Sequence, residues 1–121
     1  MDLDALNKFR WHDLPVSRLC ISESGIDLEV TPYNEAATAY ERFRLTLRDA
    51  SFVRLDVRGD LSPRDLSDLE VSRFDFRAGD DRRLCGTIGV RPGSSGFWTI
   101  AFESAAWELV KLPWDDAEAA R

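Results

Sequence analysis

Histidine, cysteine and long apolar runs are scarce in this sequence, and each scarcity excludes something. His12 is the single histidine and Cys20 and Cys85 the two cysteines among 121 residues, with no CxxC pair and no Cys/His cluster. A zinc site, which needs four such ligands brought together, has little to draw on. No nucleophile elbow of the G-x-S-x-G kind, glycine-rich phosphate loop, HExxH helix or dinucleotide fingerprint occurs. No catalytic residue, metal or cofactor is therefore expected. No apolar run approaches the roughly 20 residues that span a bilayer as a helix. The opening Met1-Asp2-Leu3-Asp4-Ala5 is acidic, where a secretory signal would be basic and then apolar. A cytoplasmic chain with reduced thiols and no membrane attachment is the expectation. Positive charge is also in deficit, at 16 Lys and Arg against 22 Asp and Glu, a net −6. Such a domain repels phosphate backbones, which argues against nucleic acid and suits a basic protein partner. Acidity is equally a plain route to solubility.

What the sequence has in abundance is alternation. Apolar and polar residues take turns with the period of a half-buried strand. Leu19 and Ile21 lead through Ser24-Gly25 to Ile26, Leu28 and Val30. A two-residue loop there sets Ile21 opposite Leu28 and Leu19 opposite Val30, and Pro32 ends the run. Phe43, Leu45 and Leu47 alternate with Arg42, Arg44 and Arg48, and Val53, Leu55 and Val57 with Arg54, Asp56 and Arg58. A turn at Asp49-Ala50-Ser51 predicts a hairpin pairing Leu45 with Leu55 on one face and Arg44 with Asp56 on the other. Phe74 and Phe76, then Leu84, Gly86, Ile88 and Val90, then Trp98, Ile100 and Phe102 continue the pattern. A turn at Ser104-Ala105 would pair Phe102 with Trp107, and Gly86 would lie opposite Phe102. Ser62-Pro63 with Asp65, and the Leu61/Leu66 staple, predict a short helix near 63–69. A helical turn is expected within residues 2–9. The fold class is thus mainly β: an antiparallel meander of about eight strands forming a barrel or two-layer sandwich. One domain over residues 1–112 is expected, with 113–121 a loose tail that Trp114 could pin.

Two groups of residues are candidate binding sites. Trp11, His12 and Asp13 join the single histidine to a carboxylate and a large ring, the makings of a general base with its orienting group. The plainer reading has Asp13 capping a turn, with His12 and Asp13 on opposite sides of an extended chain. In the predicted register Arg42, Arg44, Arg54 and Arg58 share one sheet face, where guanidiniums could grip a carboxylate or phosphate. Cross-strand ion pairing on a solvated face is the plainer reading there. Cys20 and Cys85 are expected as small buried hydrophobes, and Trp98 and Trp107 as core.

The segment Phe9-Arg10-Trp11-His12-Asp13-Leu14-Pro15-Val16, followed by alternating strands, resembles the opening of small bacterial β domains of unknown function. Some domains of that kind are immunity proteins of polymorphic toxin systems. The resemblance implies a non-enzymatic, protein-binding role in which an acidic domain neutralises a basic toxin. Two other readings stand beside it. One is a ligand-binding β-barrel or enzyme with its site near His12 and Asp13. The other is an assembly subunit that pairs through a sheet edge.

Overall fold

The computed structural model describes residues 3–59, 68–92 and 96–114. A short helix, α1 (Leu3–Asn7), precedes β1 (Leu14–Ser22), β2 (Gly25–Val30), β3 (Tyr33–Asn34), β4 (Ala39–Tyr40), β5 (Arg42–Arg48) and β6 (Phe52–Arg58). After them come β7 (Glu70–Ala78), a 3-10 turn at Asp80–Arg82, β8 (Leu84–Arg91) and β9 (Phe97–Leu112). The helix expected near 63–69 lies, through residue 67, outside the described residues. Leu69 is buried and not helical.

Seven strands form one antiparallel sheet in the order β5-β2-β1-β7-β8-β9-β6, while β3 and β4 make a separate ribbon. Because β5 also pairs with β9, six of the seven strands link into a ring. The ring is not evenly staved. β1 meets β7 only through Leu14 and Pro15. Two layers result: β7, β8, the first half of β9 and β6 in one, and β1, β2, β5 and the second half of β9 in the other. Their inner faces carry the alternating apolar residues as cross-strand ladders. Leu19, Leu28, Leu45 and Leu109 run across one layer, and Phe74, Ile88 and Ile100 across the other. All but the half-buried Leu19 are buried. Each fully buried aliphatic side chain contributes about 1.5–3 kcal/mol. The N-terminal segment fills the open end, with Trp11 stacked on Phe9 and edge-on to Phe74.

Three expected connections are corrected. β5 and β6 do not form a hairpin: both lie antiparallel to β9, end to end, pairing with residues 106–112 and 97–103 respectively. Asp49-Ala50-Ser51 is therefore a bulge in one long run, where the register against β9 slips by a single residue. Nor is Ser104-Ala105 a turn. β9 continues through it, bent at Ser104 with φ 53°, and Phe102 pairs with Gly86 and Val53 rather than with Trp107. Arg83 fastens the two kinks together. Its Nε donates to the Ser104 carbonyl at 2.6 Å and its Nη2 to the Asp49 carbonyl at 2.5 Å. Asp49, like Ser104, has a left-handed φ, of 54°.

The first hairpin forms two residues out of the expected register, with Leu19 opposite Leu28 and Ile21 opposite Ile26. An even slip keeps every side chain on its face, so the core is unchanged. Gly25 opens β2 instead of sitting in the turn, at a place only glycine fits: a Cβ there would lie 2.0 Å from the Leu47 carbonyl oxygen. Gly86 does face Phe102 as expected, although the space it saves is against the backbone of β7: a Cβ would meet the Asp75 carbonyl at 2.5 Å.

Candidate functional site

The structure separates the predicted site residues into three places. Trp11 is committed to the core, its indole Nε1 donating to the Leu6 carbonyl at 2.9 Å. His12 and Asp13 do meet, Nδ1 to Oδ2 at 3.0 Å. The expected extended geometry fails because Asp13 adopts φ 62°, a left-handed conformation that Asp tolerates. The tight turn brings the two side chains to one side. Arg91 then joins Asp13 at 2.9 Å and Glu70 at 3.4 Å, so the histidine begins a chain of exposed charges. A base standing in solvent lacks the water-excluded surroundings that strengthen catalytic electrostatics.

The four arginines do not share a face. Arg42 and Arg44 lie on β5, Arg54 and Arg58 on β6, in different layers. Arg44 faces Glu29 of β2, not Asp56. Glu29 is the buried charged residue among the described residues, although its alternation with Leu28 and Val30 predicts an outward-facing acid. Its carboxylate accepts from Arg42 Nη2 at 2.9 Å and lies 3.6 Å from Arg44 Nε. Arg42 in turn sits over the Trp114 ring at 5.3 Å, and the Trp114 indole donates to the Tyr40 carbonyl at 3.2 Å. The tail is pinned at that residue. An open hollow of about 490 Å³ lies over this group, with Arg18 and Thr31 at its margin. A buried carboxylate already holding two guanidiniums is a structural ion-pair cluster first, its charge compensated within the fold.

The third place is β6. Val53, Leu55 and Val57 face the same side as the buried Phe102 and Ile100 and the half-buried Trp98 of β9, as the alternation requires. However, β6 is the last strand in the order, and its apolar side chains stand largely in solvent. Phe52, Val53, Leu55 and Val57 are 49%, 42%, 52% and 50% exposed, whereas Leu45 at the matching position of β5 is fully buried. Among the described strands none pairs with the edge of β6 turned away from β9. Strand backbone groups point alternately to the two edges, so about half of this strand's donors and acceptors face outward. A shallow groove of about 350 Å³ runs beside it, where Phe52 stands among Asp75, Thr87 and Glu103. The alternation of residues 52–58 marks this surface, but taken alone it predicts a hairpin with β5, whereas the strand pairs with β9.

Cys20 and Cys85 are half-buried free thiols, not fully buried as expected. The Cys85 sulfur accepts from the Ser104 amide at 3.4 Å. Among the described residues no three His, Cys, Asp or Glu side chains gather as metal ligands, and no helix is long and apolar enough to cross a membrane. No family model, curated protein or solved structure matches the chain.

Proposed function

We propose that this chain is a non-catalytic protein-binding domain whose contact surface is β6. The observation that carries the reading is the exposed apolar row Val53, Leu55 and Val57 on one face of a strand whose outer edge no described strand pairs, with the exposed Phe52 on the other face. Exposed edges and contiguous apolar patches are costly unless used, because each invites association. The two alternative surfaces are less suited. The His12–Asp13–Arg91–Glu70 chain is solvated, and Glu29 holds its arginines internally. Neutralisation of a basic toxin, the finer expectation, is supported by the net charge of −6 and by the resemblance of the opening segment. β6 itself carries Arg54 and Arg58 against Asp56. A basic partner would therefore meet the domain through Asp75 and Glu103 in the adjoining groove, which Arg77 also lines, with Phe52 as the apolar anchor.

Affinity capture from the native host, run in parallel with four baits, tests this reading. Proteins held by the unaltered domain are expected to be lost with Leu55→Asp and retained with His12→Ala and Arg44→Ala. Capture that is indifferent to Leu55→Asp would overturn β6 as the contact surface.

A further inference from the structure

We infer that the free edge of β6 is occupied by the same edge of a second copy of this chain, the two strands antiparallel about a twofold axis at Leu55. This rests on the reading of β6 as a docking surface and names its partner. The strand reads Phe52-Val53-Arg54-Leu55-Asp56-Val57-Arg58. Set against itself about Leu55, it places Leu55 opposite Leu55, Val53 opposite Val57, Arg54 opposite Asp56 and Phe52 opposite Arg58. Every apolar residue on the uncovered face gains an apolar neighbour about 5 Å away, and each Arg54 a carboxylate. Phe52 and Arg58 meet as ring and guanidinium, a favourable pair in its own right.

Neighbouring registers fail. An axis at Arg54 sets two guanidiniums face to face. An axis at Asp56 opposes two carboxylates and also places Arg54 against Arg58. An axis midway between Arg54 and Leu55 puts Leu55 against Arg54 and Val53 against Asp56, apolar against charged. The strand is thus complementary to itself in the register about Leu55, which is what a twofold interface requires. The pairing joins two layers into one continuous sheet, β7-β8-β9-β6 followed by its symmetry mate. It also satisfies the outward backbone groups of both edges.

Sedimentation velocity across a concentration series tests the inference. The unaltered chain is expected to move towards twice its 13.8 kDa as concentration rises. Leu55→Asp, which opposes two carboxylates on the axis, and Arg54→Glu, which opposes Glu to Asp56, are each expected to weaken the dimer at least about tenfold. The double change Arg54→Glu with Asp56→Arg restores opposite charges only if β6 meets β6, and is expected to recover the dimer. Far-ultraviolet circular dichroism should be unchanged in all three variants, because these side chains are largely exposed. A chain that stays monomeric up to millimolar concentration overturns self-pairing, as does a dimer untouched by these substitutions or a double change that fails to rescue. A monomer that nevertheless loses its captured proteins with Leu55→Asp overturns the second copy as partner while sustaining β6 as a docking surface.

Discussion

Glu29 shows how far a single residue's surroundings can depart from its place in the sequence. It alternates with Leu28 and Val30 like any outward-facing acid, yet Arg42 and Arg44 close over it. Glu29→Gln is expected to destabilise the fold by about 3 kcal/mol, since it removes the buried carboxylate on which the Arg42 and Arg44 guanidiniums converge. Urea unfolding measures this. Glu41 is a second case. Hydrogen bonds from Lys111, and then from the Asn34 amide, hold its carboxyl below the usual carboxylate range. The lowered value means that Glu41 contributes stability above its unfolded-state pKa, and that the contribution fades as pH falls through its folded value. Carboxyl titration by NMR should show the Glu41 midpoint rising towards the ordinary range in Lys111→Ala.

Among the elements, β5 and β6 carry the sharpest contrast. Their sequences look equivalent, but Leu45 is covered and Leu55 is not. Leu45→Ala is expected to cost about 2–5 kcal/mol through the cavity it leaves. Leu55→Ala should stay within about 0.5 kcal/mol when unfolded at low concentration, as surface changes usually do. Equal effects would contradict the placement of β6. The joint between the two strands depends on Arg83, which reaches the carbonyls of Asp49 and Ser104 at once. Arg83→Ala is expected to lose about 1–2 kcal/mol of stability. Arg83→Lys should recover little of it, because one ammonium cannot span both carbonyls as a forked guanidinium does. Nothing local marks Arg83 for that task in the sequence, where it is one charge in a polar turn.

For the whole molecule, cohesion should decline from β8, paired on both sides, to β6, paired on one among the described strands. Amide exchange is the measurement. Protection is expected throughout β8, while residues 52–58 should alternate between slow and fast exchange in dilute solution. Uniform protection appearing in β6 as concentration rises would accompany self-pairing.

Local alternation was enough to determine the fold class and, within each strand, which side chains share a face. Those depend only on the two-residue period of a strand, which even the displaced hairpin at Gly25 preserved. Which strands became neighbours was decided by the tertiary structure. A strand edge accepts any partner of suitable direction, and the run over residues 42–58 found its partner in β9, some 40–70 residues further along the chain. That choice left Leu55 in water while Leu45 was buried, and the pairing of β5 with β2 brought Glu29 under the arginines, because burial depends on what lies across the layers and not on the order of residues along a strand.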